Sequence, residues 1–188
     1  MENVLPQDWS TGPFFEPIEH YALLRHAVGL NPGGTALEFG VGSGQSTRII
    51  AKAMPVIGFD GFTGLQEDWR PEFPRGSFAF DPPQIDNAEL VIGAFAETLP
   101  NFEPPADVGL LHLDADTYQA TRTALAHVGR CLRRGSIVVF DEFWNYDDGP
   151  GAAWVDHEYR AWKEFADETG IAWTVIGSSH EAWAIRTL

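Results

Sequence analysis

Apolar residues along this chain alternate between two rhythms. Short, nearly unbroken apolar runs occur at 34–39, 56–59, 89–92, 107–113 and 136–140, the pattern of parallel strands buried on both faces. Between them apolar residues recur at helical spacing. Tyr21, Leu24 and Val28 precede the first run; Ala120, Ala124, Val128 and Leu132 follow the fourth; Tyr159, Trp162, Phe165 and Ala166 follow the fifth. The spacing predicts helices over 17–30, 45–53, 117–134 and 155–169, and a single turn at 96–99. Pro17 suits a first helical turn, 31–34 (Asn-Pro-Gly-Gly) stops that helix, and Gly135 stops the long one. Two last apolar runs, 171–176 and 182–188, are joined by a short connection and read as a hairpin. Crossovers followed by a terminal hairpin imply an α/β sheet with a late antiparallel edge.

Two stretches follow neither rhythm. Residues 1–16 are broken by Pro6, Gly12 and Pro13, with Trp9, Phe14 and Phe15 as apolar anchors. Residues 61–88 mix glycines and prolines with Phe62, Trp69, Phe73, Phe78 and Phe80. They read as a long crossover with a short helix near 64–69, or as a lid.

The first strand runs into Glu38-Phe-Gly-Val-Gly-Ser-Gly, with glycines at 40, 42 and 44. A strand, a tight glycine turn and a helix start place free N–H groups at the carboxyl edge of a parallel sheet, where open α/β folds take ligands. A dinucleotide fingerprint sets glycines at relative positions 1, 3 and 6; here the sixth position is Gln45. No Gly-Lys-Ser/Thr follows, so a nucleotide-hydrolase phosphate loop is not supported. Asp60 ends the second strand 20 residues beyond Gly40, a distance at which a carboxylate accepts hydrogen bonds from ribose hydroxyls. A turn that only packs helix on strand, and an aspartate that only caps a loop, are the plain alternatives.

The fourth and fifth strands end in acid, Asp114 with Asp116 and Asp141 with Glu142. Adjacent carboxylates on one sheet edge suit Mg²⁺, and a divalent ion beside a hydroxyl lowers its pKa and orients it. Capping and solvation are the competing roles. The loop 143–154 carries Trp144 and Tyr146, which can line an acceptor pocket, and His157 follows it. His20 and His26 need no special role.

Composition narrows the field. The chain has 188 residues and 44% apolar content, enough for one sizeable core. A formal charge of −15 disfavours non-specific binding to nucleic acid or anionic membrane. The single cysteine, Cys131, excludes an internal disulfide and reads as a small residue inside a helix. No signal-like start and no spanning run are present, so a cytoplasmic protein is expected.

The order of these motifs resembles the class I S-adenosylmethionine-dependent methyltransferases and, more narrowly, the macrocin O-methyltransferase family of sugar-tailoring enzymes. The resemblance runs from about Ala36 to Phe165. It rests on 39–47 (FGVGSGQST), 58–66 (GFDGFTGLQ) with Asp68-Trp69, 93–100 (GAFAETLP), 113–118 (LDADTY) and 139–143 (VFDEF). It implies a Rossmann-like three-layer α/β sandwich with a mostly parallel seven-stranded sheet and an antiparallel C-terminal edge. Residues 1–34 would form an N-terminal cap and helix, and 35–188 the methyltransferase core, one domain overall. The implied cofactor is S-adenosyl-L-methionine, held by Glu38, Gly40, Gly42, Ser43 and Ser46 at its methionine and ribose end. Asp60 and Gly61 would meet the ribose, and Phe62, Ala94 and Phe95 the adenine. The implied metal is Mg²⁺ on Asp114, Asp141 and Glu142, with Glu142 standing where relatives commonly carry Asp. Asp114 and Asp141 form the implied catalytic pair, Asp114 as a base for the acceptor hydroxyl. Trp144, Tyr146 and His157 would shape the acceptor pocket.

The chain has a shorter N-terminal part than the antibiotic enzymes. A small sugar, an aromatic hydroxyl or another hydroxylated metabolite is the acceptor class, and a homodimer is one assembly open to the chain. An NAD-dependent oxidoreductase and a non-enzymatic cofactor-binding or assembly protein are the competing readings. The first lacks the sixth-position glycine and a tyrosine–lysine pattern.

Overall fold

The structure is a computed structural model that describes residues 13–15, 21–30 and 32–188. The expected first helical turn at Pro17, the anchor Trp9 and His20 lie outside the described residues. Seven strands form one sheet: β1 (Thr35–Phe39), β2 (Val56–Asp60), β3 (Ala88–Ile92), β4 (Val108–Leu113), β5 (Ile137–Phe140), β6 (Trp173–Ser178) and β7 (Trp183–Thr187). Their order is β3-β2-β1-β4-β5-β7-β6. The first five are mutually parallel, and β7 runs antiparallel between β5 and β6. This is the Rossmann-like sandwich with an antiparallel C-terminal edge.

Every residue of β4 and β5 is buried, as unbroken apolar runs require when both faces of a sheet are covered. Alternate side chains divide the core in two. On one face Leu37, Phe39, Leu111, Leu113, Val138 and Phe140 pack under helices α4 (Tyr118–Val128) and α5 (Glu158–Thr169). On the other, Ala36, Leu110, Ile137 and Val139 pack under α1 (Ala22–Gly29) and α2 (Gln45–Ala51). A short helix α3 (Phe95–Thr98) follows β3.

Element ends differ from the expected ones for identifiable reasons. The helix expected over 117–134 is α-helical only to Val128, then tightens to a 3₁₀ turn at Gly129–Cys131. A Cβ on Gly129 would stand 2.4 Å from the Phe165 ring, so glycine lets α5 pack tightly against this helix end. Cys131 therefore sits half-buried on that turn and not inside a helix. Its start is fixed by Thr117, whose Oγ1 accepts the N–H of Ala120. The helix expected from 155 begins at Glu158, behind a 3₁₀ turn at Trp154–Asp156. Residues 64–69 form an irregular, bent segment and no helix: the Leu65 N–H donates to the Ser77 carbonyl and the Gly76 N–H to the Leu65 carbonyl, tying it to the returning chain. Phe14 bridges Ser178 in parallel, so the described piece of the N-terminal segment borders β6.

Candidate active site

The sheet order reverses between β1 and β4, and a cleft of about 630 Å³ opens at the carboxyl ends of the strands there. A topological switch point is where such sheets leave room for a ligand, because neighbouring crossovers depart to opposite faces.

The glycine turn forms one wall. Gly40 has φ of +95°, and a Cβ there would lie 1.7 Å from the backbone oxygen of Asp114. Only glycine lets the ends of β1 and β4 come this close. Asp60, at the end of β2, holds the turn from the side: its Oδ2 accepts the N–H groups of Val41 (2.9 Å) and Gly42 (2.8 Å), and its Oδ1 that of Phe62 (2.6 Å). Each carboxylate oxygen has two lone pairs, so Asp60, which also lines the cleft, retains acceptor capacity toward it. Gly42, Ser43, Ser46, Gly61, Ala94 and Phe95 line the same cavity. Phe62 is buried at φ of +55° and is not among the lining residues. Its backbone serves the turn, while Phe73, Phe78 and Phe80 from the long crossover supply an aromatic wall.

The acidic strand ends form the opposite wall. Asp114, Asp116, Asp141 and Glu142 all line the cleft. Their oxygens gather in two overlapping groups, His112 with Asp114 and Asp141, and Asp114 with Asp116 and Glu142; within each, ligand atoms lie within 4.8 Å of one another. The expected trio Asp114, Asp141 and Glu142 is thus divided between the two groups. Burial, and then the Asp141 and Asp116 charges, push the Asp114 carboxyl well above its usual range. Burial and then Asp141 do the same to Glu142. Asp116 is pushed up to about 7 by burial and by Asp141, against the opposing pull of Arg70. It adopts φ of +59°, a left-handed conformation costly to a non-glycine residue and typical of functional turns. Tyr21 of the segment before α1 borders the cleft, its hydroxyl pushed up to about 12 by burial and the Asp114 charge.

Asp116 stands with Asp114 at the acidic end of β4, as the sequence marked it. Three further contributors were not among the residues the sequence marked. Glu158, fully buried at the start of α5, accepts the N–H groups of Ala115 (3.5 Å) and Glu142 (3.2 Å), clamping the two acidic loops together. His112, fully buried on β4, meets Glu38 on β1 with Nδ1 to Oε1 at 2.9 Å. Glu38 thus faces across the sheet and does not line the cleft. Arg70 lies 3.7 Å over the Tyr146 ring and pairs with Asp148 (2.8 Å) and Glu181 (3.2 Å). A polar residue within an all-apolar strand was the available signal for His112; the others depend on chain segments that meet only after folding.

Trp144, Tyr146 and His157 stand behind the cleft wall and do not line it. Trp144 packs on Trp154 and Trp183. Tyr146 supports Arg70 and the edge of Trp69. His157 turns Nε2 to the carbonyl of Gly151, and burial holds its pKa below the ordinary value.

Residues 37–143 match a family model described as a methyltransferase domain. No curated protein matches the chain. Among solved structures, the calicheamicin methyltransferase CalS11 is similar at 23% identity and a TM-score of 0.66, over 90% of this chain and 77% of that one. The O-methyltransferase NovP is similar at 19% and 0.69, over 90% and 79%. An O-methyltransferase from Bacillus cereus, solved with SAH, is similar at 16% and 0.60, over 92% and 81%. At these identities the likeness is one of fold.

Proposed function

The chain belongs to the methyltransferase-domain family and is an S-adenosylmethionine-dependent methyltransferase; from that premise we propose that it methylates a hydroxyl oxygen of a sugar or another small hydroxylated metabolite. The observation that carries this reading is a cleft with a glycine turn and Asp60 on one wall and buried carboxylates on the other. A sulfonium cofactor, when bound, supplies the methyl group. The turn and Asp60 would hold its methionine and ribose, with Ala94 and Phe95 toward the adenine. The similar protein CalS11 is a TDP-rhamnose 3'-O-methyltransferase, which favours a sugar among the hydroxylated acceptors.

Transfer of that methyl group to an acceptor hydroxyl would leave S-adenosylhomocysteine and release the hydroxyl proton, which a protein base would take up. Asp114 fits that base by position: it lines the cleft at the end of β4, with Asp141 and Asp116 beside it. The walls must also bring oxygen, carbon and sulfur into line, which is worth as much as the proton transfer. The carboxylates fit a divalent ion, since they crowd together with Arg70 as the one cation acting on Asp116. Asp114, Asp116 and Glu142, with Asp141 beside them, would hold Mg²⁺, whose charge would favour the acceptor alkoxide.

Calorimetry with S-adenosylhomocysteine and with NAD tests the cofactor. Micromolar binding of the first and none of the second is expected; the reverse would make the chain an oxidoreductase. Transfer of labelled methyl to hydroxylated acceptors should then fall at least 100-fold with a chelator and return with Mg²⁺. Equal turnover with and without chelator removes the metal from the reading.

A further inference from the structure

The pair Glu38–His112 is not used by the chemistry above, yet it is built with care. The two residues sit opposite one another on β1 and β4, each with no exposed surface. Placing a carboxylate and an imidazole in the middle of a sheet core is costly unless every polar atom finds a partner. Nδ1 and Oε1 satisfy each other at 2.9 Å. His112 Nε2 does not: it is buried and has no hydrogen-bond partner. No tautomer repairs this. Among the described residues it finds no acceptor as an N–H and no donor as a lone pair. Along β4 the next side chain on the same face is Asp114, and Asp141 follows the neighbouring strand. A ring nitrogen of His112 and carboxylate oxygens of these two residues lie within 4.8 Å of one another. Glu38 engages Nδ1, so Nε2 is the ring nitrogen left to serve these oxygens.

We propose that His112 Nε2, Asp114 and Asp141 form an inner site for a divalent transition-metal ion, with Glu38 as the carboxylate that orients the coordinating imidazole. Histidines that bind metals usually donate their other ring N–H to a carboxylate, which fixes the tautomer and raises the basicity of the ligating nitrogen. Glu38 is that partner. Three atoms bound to one ion at about 2.1 Å each stand about 3.0–3.6 Å from one another, so the set closes by side-chain movements on the order of an ångström. The donor set selects the ion. Mg²⁺ takes oxygen ligands almost exclusively, whereas one imidazole nitrogen with two carboxylates suits Mn²⁺, Co²⁺ or Zn²⁺. The outer group, Asp114 with Asp116 and Glu142, is all oxygen and keeps its preference for Mg²⁺. The two groups share Asp114, so an ion at the inner site fixes the carboxylate assigned above as base. This inference rests on the strand ends being a cation-binding edge, as the proposed function requires.

The test is Mn²⁺ binding to the cation-stripped full chain, followed by pulsed electron paramagnetic resonance. One bound Mn²⁺ per chain with nitrogen-14 coupling from one imidazole is expected. Asp116→Asn should keep that coupling. Glu38→Gln should keep it too but weaken Mn²⁺ binding about 10- to 100-fold, the usual effect of losing a carboxylate behind a ligating histidine. His112→Gln should remove the coupling; circular dichroism and S-adenosylhomocysteine affinity report whether that variant folds. The wild-type and Glu38→Gln spectra stand without it. Bound Mn²⁺ showing only oxygen and water couplings overturns the inner site and leaves the outer Mg²⁺ reading standing. No bound Mn²⁺ in the wild type, with or without S-adenosylhomocysteine, overturns both.

Discussion

Asp60 shows how one side chain can hold a loop ready for a ligand. Three backbone N–H groups converge on its carboxylate, and hydrogen bonds to a charged group are worth about 1.5–3 kcal/mol each at most in a buried setting. The turn borders an open cleft, so water replaces part of what is lost on deletion. Asp60→Ala should therefore cost about 2–3 kcal/mol in urea unfolding and lower S-adenosylhomocysteine affinity at least tenfold by calorimetry. Asp60→Asn keeps the shape and one good acceptor and should cost less on both readouts. Residue spacing alone suggested a ribose contact for Asp60; the hydrogen bonds add that the same carboxylate builds the turn. His112 marks the opposite case. Its burial inside an apolar strand was visible in the sequence, but its partner Glu38 is 74 positions away.

At the scale of elements, two contacts join segments that local rules treat separately. Gly40 lets β1 finish against the β4 carbonyl of Asp114. Gly40→Ala places a Cβ inside that oxygen's radius at a positive φ, and should destabilise by about 3 kcal/mol or more, with loss of cofactor binding; unfolding midpoints and calorimetry check this. Arg70 fastens the long crossover to the loop after β5 through Asp148 and to the β6–β7 turn through Glu181. Both acids are partly exposed, so solvent screens these pairs and stacking on Tyr146 supplies much of the hold. Arg70→Ala should speed amide exchange across residues 64–79 and raise KM for the acceptor about tenfold, with a much smaller change in S-adenosylhomocysteine affinity. Unchanged exchange there would mean that the crossover is held by its own turns.

Over the whole molecule, charge and burial work against each other. The chain carries a formal charge of −15, and four carboxyls, Asp114, Asp116, Glu142 and Glu158, have pKa values raised by burial and by one another. A carboxyl whose folded pKa lies above its unfolded value near 4 binds more protons when folded, so stability falls as pH rises through that interval. For Asp116 the interval runs from the ordinary carboxyl value to about 7. Cation-free protein should melt at least about 5 °C lower at pH 8 than at pH 5.5. Mg²⁺ or Mn²⁺ should raise Tm more at pH 8 than at pH 5.5, because only ionised carboxylates bind it. Scanning calorimetry at both pH values, with and without the ion, reads both differences; a Tm that rises with pH contradicts the burial of these charges. No helix among the described residues is long and apolar enough to cross a membrane.

What the sequence determined by itself was whatever depends on near neighbours in the chain. Apolar runs placed the strands to within a residue or two, because period and burial are local properties of a segment. The glycine turn and the acid at each strand end were legible for the same reason, since parallel strands must finish on a common edge. Tertiary structure alone decided what meets across that edge. The bent segment at 64–69 in place of a helix depends on hydrogen bonds that Leu65 exchanges with Gly76 and Ser77. Glu158 clamps two loops from a helix that starts later than its apolar period suggests. Trp144, Tyr146 and His157 fall behind the wall because Arg70 and the aromatic crossover take the cleft side. Such contacts join residues tens of positions apart, and the side chains carry no record of their partners until the sheet is assembled.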